Sequence, residues 1–307
     1  MRPRRLCFVG AALAAGGVGL ASASCSLLVD TSGLSGADAL IDAGPAASDA
    51  PSTDVVTADA SSDGSVADTG VDASDGSSGP CPSGRGPAMV LVADTNGSFC
   101  VDATEVSQRE FNIFLAAPKA SLPSAPAACS SKTSFGGTTR PDDDLPVMNV
   151  DWCDAWVFCA WAGKRLCGSR NGTAIDDYTP ANDPKISEWF AACSRSGARK
   201  YPYGASFAPM ACNGCARTGS CDGGAPAPAP VGSLAGCEGG YAGIFDMSGN
   251  VAEWEDNCGG DTCPPRGGGR SGALDAPACE ILSVPAVSTR LATSDDVGIR
   301  CCAMKAN

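Results

Sequence analysis

The sequence predicts an α+β fold: a loop-rich, disulfide-stapled domain of short helices and strands, carried behind a disordered stalk. Three observations predict it. Composition changes sharply at Cys81, after which aromatics, cysteines and Gly-rich turns occur together through Asn307. The chain holds 38 Gly and 22 Pro, a content that favours loops and short elements over long helices. Of its 18 Cys, all but Cys7 and Cys25 fall between Cys81 and Cys302, an even number behind an export signal.

The N-terminus reads as that signal. Arg2, Arg4 and Arg5 precede an apolar run from Leu6 to Leu20, and the small residues Ala21-Ser-Ala-Ser24 lead to Cys25. The run is too short for an ordinary spanning helix. Small residues before a lone cysteine resemble a bacterial lipoprotein signal, which would make Cys25 the lipidated first residue of the mature chain. Ser22 stands where that signal usually carries Leu, and plain cleavage after Ala23 or Ser24 is the competing reading. Residues 1–24 are thus a signal peptide, and residues 25–80 a lipid-anchored linker. From Ser26 to Pro80 there are ten Asp, no base and no aromatic residue, so the segment cannot form a core and repels itself. As a flexible coil it would span ~40 Å on average.

The folded domain, residues 81–307, is long enough to bury a sizeable core. Ser107-Gln-Arg-Glu110 is a capping box that opens a helix through Phe111, Phe114 and Leu115. Asp151 caps a second helix that runs to Trp161 and stops at Gly163, with Trp152, Ala155, Trp156 and Cys159 expected on one face. A third, shorter helix begins near Ser187 and carries Trp189, Phe190 and Cys193. Met89–Val92, Phe99–Val101 and Gly298–Cys301 read as strands. The 16 domain cysteines predict bridges whose pairing the spacing does not determine. Cys258 and Cys263 flank Gly259-Gly-Asp-Thr262 and suit a small local loop, and Cys212-Asn-Gly-Cys215 has the spacing of a zinc knuckle as a weaker alternative to bridging.

Composition also removes chemistries. There is no His in the chain, so His-based triads, imidazole proton shuttles and His-ligated zinc, haem or iron are excluded. A net charge of -13 argues against nucleic acid as a partner, since phosphate binding requires a basic footprint.

The densest stretch is Gly243-Ile-Phe-Asp-Met-Ser-Gly-Asn-Val-Ala-Glu-Trp254. Gly249-Asn250 is a turn signal that folds Asp246 and Glu253 back toward each other. Two carboxylates with the carbonyls of Gly249 and Val251 suit calcium, which takes six to eight oxygens. The same residues equally suit an Asx-type turn capping a buried strand that ends in Trp254.

Taken together, the blocks Phe99–Ser107, Pro146–Trp152, Trp161–Leu166, Ser187-Glu-Trp189, Tyr201-Pro-Tyr-Gly204, Gly243–Trp254, Arg266-Gly-Gly268 and Gly298-Ile-Arg-Cys301 resemble, in order and spacing, the formylglycine-generating enzyme family, also called sulfatase-modifying factor domains. That resemblance implies a fold similar to C-type lectins. It implies structural Ca2+ on Asp246, Gly249, Val251 and Glu253, and more loosely on Asn213, Gly214, Asp222 and Gly224. It further implies a copper-binding cysteine pair, five positions apart, just after the Arg-Gly-Gly turn. Here those positions hold Gly272 or Ala273, and Pro277 or Ala278, with Cys279 the nearby thiol. The family's iron-dependent sulfoxide synthases need His and are excluded.

The expected function is therefore a cell-envelope lipoprotein, exported and membrane-anchored through its lipid, presenting a non-catalytic domain of this family to a glycan, peptide or envelope protein. Secretion or a periplasmic location is the alternative address. The alternative function is a copper-dependent oxidase that converts a sulfatase cysteine to formylglycine, with Cys279 as its thiol.

Overall fold

The computed structural model describes residues 79–138, 144–177, 179–219, 224–272, 278–281 and 289–306. The signal, Cys25 and almost all of the linker lie outside them, as do Asp222, Ala273 and Pro277.

Capping chemistry sets the helices. In α1 (Gln108–Leu115) the Ser107 side chain accepts from the Glu110 N–H while Glu110 accepts from the Ser107 N–H, the reciprocal box expected from the sequence. Helix α2 (Trp152–Trp161) begins with the same device built from Asp151 and Asp154, and the chain turns out of it at Gly163, with φ 75°. Helix α3 (Glu188–Ser194) starts on the Ser187 cap.

The one-face expectation for α2 needs correction. Cys153, Asp154, Val157, Phe158 and Trp161 are buried along with Trp152, Ala155 and Cys159, whereas Trp156 is only half-buried. An apolar helix of ten residues, packed under α1 and the Phe135 loop, is wrapped by the domain rather than laid on it.

The main sheet contains β1 (Met89–Asp94), β2 (Gly97–Asp102), β3 (Arg165–Leu166) and β6 (Cys301–Met304) in the order β1-β2-β6-β3, all antiparallel. A separate parallel pair joins β4 (Ala252–Trp254) to β5 (Val297–Ile299), with Glu253 opposite Gly298. The single C-terminal strand expected from sequence is thus two strands broken at Arg300.

Successive residues of a strand face opposite sides, and the adjacent cysteines of β6 use this directly. Cys301 bonds Cys159 of α2, in the core formed by α1, α2, Trp254 and Ile299. Cys302 bonds Cys167, in the core formed by Phe99, Val101, Trp189, Ile244 and Met247. One strand therefore staples both hydrophobic layers. Further bridges join Cys81 to Cys100, Cys129 to Cys153, Cys193 to Cys279, Cys212 to Cys237 and Cys258 to Cys263. Cys215 is disulfide-bonded as well, so the zinc-knuckle alternative at Cys212 and Cys215 gives way to bridging. Among the described residues no helix is long and apolar enough to cross a membrane.

Candidate functional site

The Gly243–Trp254 block enters as a chain of left-handed residues and leaves as β4. Gly243, Asp246, Gly249 and Asn250 all have positive φ. At Gly249 a Cβ would come within 2.4 Å of the Asn213 carbonyl oxygen, so only glycine allows the two backbones to meet. They meet through hydrogen bonds. The Asn250 N–H donates to the Asn213 carbonyl at 2.7 Å, and Asn213 Nδ2 donates to Asn250 Oδ1 at 3.0 Å. Asn213, assigned from sequence to a separate group, is thereby brought to this turn.

The rest of that group is not assembled among the described residues. The Gly214 carbonyl accepts from the Arg217 N–H in a short 3-10 turn, Gly224 is exposed, and Asp222 is not described.

Asp246 and Glu253 have different surroundings. Asp246 is buried, and its Oδ2 accepts from the Gly232 N–H at 2.6 Å. Burial is the main cause that raises its pKa; the Gly232 N–H and Arg300 oppose it, and Glu253 adds to it. Glu253 is wholly buried on β4, and its carboxylate is held by Arg300, with Nη2 at 2.7 Å and Nε at 2.9 Å, and by Trp189 Nε1 at 2.5 Å. The Arg300 guanidinium also bonds the Asp102 and Phe245 carbonyls, which draws β2, the block and the β5–β6 break onto one point. Burial works against that charge, but Glu253, followed by Glu105 and Asp246, raises its pKa overall.

Glu105 completes the cluster, and sequence reasoning assigned it no role. It lies between β2 and α1, where the Val106 N–H bonds Ile299 and the Val106 carbonyl receives the Val147 N–H. Its carboxyl is wholly buried, and neither oxygen receives a conventional donor. Beside it lie the Asp246 carboxyl and the Asn250 amide, both close enough to interact. Burial first, then Asp246, raises the Glu105 pKa well above the ordinary carboxylic range, with Arg300 opposing. Two neighbouring buried carboxyls need a shared proton or a cation, since two like charges in a medium of low dielectric repel strongly. The signal available in sequence was Asp102-Ala-Thr-Glu105, an acid flanked by landmark residues but far in the chain from its partners.

Among the described residues no three acidic or thiol side chains converge as a metal cluster, so a calcium ion here would depend on backbone carbonyls as well as carboxylates. The buried Glu105 carboxyl beside Asp246 fits such an ion. Glu253, satisfied by Arg300 and Trp189, is not free to share it in this arrangement.

The described cysteines near the Arg-Gly-Gly turn are bridged. Cys279, wholly buried, is bonded to Cys193 of α3, and its backbone is fixed by its own N–H to the Lys200 carbonyl and by Arg266 Nη2 on its carbonyl at 2.7 Å. Cys263, another sulfur the turn could have drawn on, is bonded to Cys258. Every described cysteine of the domain is disulfide-bonded. The Arg266-Gly-Gly268 turn itself is built around Arg266, buried over the Trp189 and Phe190 rings and donating to Ala181 and Cys279.

Comparison with known proteins gives these blocks a context. Residues 84–304 match the model of the sulfatase-modifying factor enzyme 1-like domain. Two curated relatives, both named inactive C-alpha-formylglycine-generating enzyme 2, from Mus musculus and Bos taurus, are 31% identical over 124 residues. That alignment covers 39% of this chain and 34% and 35% of theirs, so the chain spans about a third of the length of the curated relatives it matches. Among solved structures, PvdO from Pseudomonas aeruginosa aligns at TM-score 0.45 and 16% identity, over 68% of this chain and 81% of its own. Treponema denticola variable protein 1 aligns at TM-score 0.43 and 17% identity, over 72% and 93%. The family model covers well over half of the chain and all eight sequence blocks fall within its span, so the chain belongs to the sulfatase-modifying factor enzyme 1-like domain family.

Proposed function

We propose that this chain is an exported, lipid-anchored envelope protein whose family domain binds a ligand or partner and does not generate formylglycine. The observation that carries the reading is the Cys193–Cys279 bridge: the nearby thiol on which the oxidase alternative depends is consumed in a buried disulfide. Soft thiolate sulfur is what would hold Cu(I), and a bridged sulfur is not a thiolate. The name of the two mammalian relatives, inactive enzymes, supports the same direction. The multiple bridges accord with an oxidising, exported compartment. Lipidation of Cys25 and the acidic linker would set the domain off the membrane, within reach of a glycan, peptide or envelope protein.

In the same reading, calcium would be held by Asp246 and Glu105 with the carbonyls of Gly249 and Val251, and its charge would replace the proton that the buried pair otherwise requires. The experiment is thiol titration of the unfolded but unreduced exported protein, together with metal analysis. Absence of free thiol between Cys81 and Cys302 is the expected result. Free Cys279 with bound copper would support the oxidase and overturn the binding reading.

A further inference from the structure

The Cys258–Cys263 bridge closes the shortest loop of the located bridges. It spans 5 residues, whereas the other located bridges span 19 to 142. Its loop is closed without it: the Gly259 N–H donates to the Thr262 carbonyl at 2.9 Å, and the Thr262 N–H donates back at 3.1 Å. The base of the turn is fixed too, by the Cys258 N–H on the Ile175 carbonyl and by the pairing of Thr262 with Thr289. Opening the disulfide would therefore leave the two sulfurs adjacent on a hairpin that keeps its shape.

The two ends of the bridge are chemically unequal. Cys263 is fully buried, and Arg290 Nη1 lies 3.0 Å from its Sγ, with the guanidinium seated over the Trp152 ring. Cys258 retains 8% of its surface, beside the exposed Gly260 and Asp261 at the tip of the turn. A cation against a sulfur favours its thiolate and makes that sulfur the better leaving group.

We propose that Cys258–Cys263 is a thiol-exchange site, reduced by a thiol-bearing small molecule or peptide in the exported compartment. The incoming thiolate attacks Cys258 Sγ, the S–S bond breaks, and the electron pair leaves on Cys263 Sγ as a thiolate beside Arg290. A second external thiolate then attacks the mixed disulfide at the external sulfur. It leaves the external pair as a disulfide and Cys258 as a thiolate. Two external thiols are oxidised and one protein disulfide is reduced, so the electrons balance. Return to the bridge requires an external disulfide and the reverse sequence.

The Cys81–Cys100 and Cys212–Cys237 bridges provide internal controls. Each has one cysteine at least as exposed as Cys258, but the sulfur contacts described at Cys100 and Cys237 are to the carbonyls of Pro80 and Ser248 and not to a cation.

The test exposes the oxidised protein to a graded glutathione buffer, quenches it by alkylation and maps the products by peptide mass spectrometry. Cys258 and Cys263 should be labelled before any other pair, and the glutathione adduct should sit on Cys258. Arg290→Met should slow this exchange about tenfold, because the leaving thiolate loses the cation beside it, while Arg290→Lys should restore most of the rate. Melting of the oxidised variants checks that each is folded, and the wild-type ordering decides the matter alone if Arg290→Met is not. The proposal is overturned if Cys258–Cys263 opens no faster than the two control bridges, if the adduct is found on Cys263, or if a folded Arg290→Met exchanges like wild type.

Discussion

A single guanidinium, that of Arg300, decides what the carboxylates of the Gly243–Trp254 block can do. Because Glu253 is its buried partner, Glu253→Gln should behave as the loss of one half of a buried ion pair, with a cost of about 3–5 kcal/mol whether or not calcium is present. Glu105→Gln should have the opposite profile. It removes one of two neighbouring buried carboxyls that repel each other when charged, so the chelated protein should melt at least as high as wild type, while any upward shift in melting temperature on adding calcium is lost. Melting both variants with and without chelator tests this. A chelator response that persists in Glu105→Gln and vanishes in a still-folded Glu253→Gln would return the ion to Glu253. The acids of the block were legible as candidate ligands from their spacing around a turn. Which of them is already paired was not, since that depends on residues 105, 189 and 300 arriving from distant parts of the chain.

At the scale of elements, the helices were legible because their signals are local. The Ser107 and Asp151 boxes and the Ser187 cap all formed where the sequence placed them. The break between β5 and β6 was not legible, because Arg300 leaves both strands to reach Glu253, a tertiary demand with no local signature.

The α2 cap adds a demand of its own. Its box uses two acids, and Lys132 bridges them, with Nζ at 2.5 Å from Asp151 and 2.9 Å from Asp154. Burial first, and Asp151 second, push the Asp154 pKa up to about 6, against the pull of Lys132. A carboxyl raised on folding favours the native state at pH below its unfolded value of ~3.8 and loses that contribution as the pH climbs through about 6. Lys132→Met removes the countercharge and should raise Asp154 further. The variant should therefore be destabilised by about 1–3 kcal/mol at pH 8, with a deficit that shrinks as the pH is lowered toward 5. Denaturant unfolding of both proteins across that range is the check, and a deficit independent of pH would mean that Lys132 acts by packing alone.

For the whole molecule, the question is where the domain begins. Composition placed the boundary at Cys81, but Pro80 is already tied in, its carbonyl receiving the Ala306 N–H at 2.9 Å while Cys81 is bonded to Cys100 on β2. The first and last described residues of the domain thus close on one another beside β2 and β6, the two central strands of the main sheet. The longest-range of the located bridges, Cys159–Cys301, spans 142 residues and on chain-entropy grounds contributes roughly 5 kcal/mol within the domain itself. A chain starting at Gly79 should therefore fold oxidatively and melt with the full mature protein, because a low-hydrophobicity, like-charged segment has nothing to pack. A chain starting at Pro82 should carry one free thiol, at Cys100, and melt lower. Paired melting curves and a thiol count on the two truncations distinguish these outcomes, and a Gly79 start that failed to fold where the full mature chain succeeds would show that the linker is part of the folded unit.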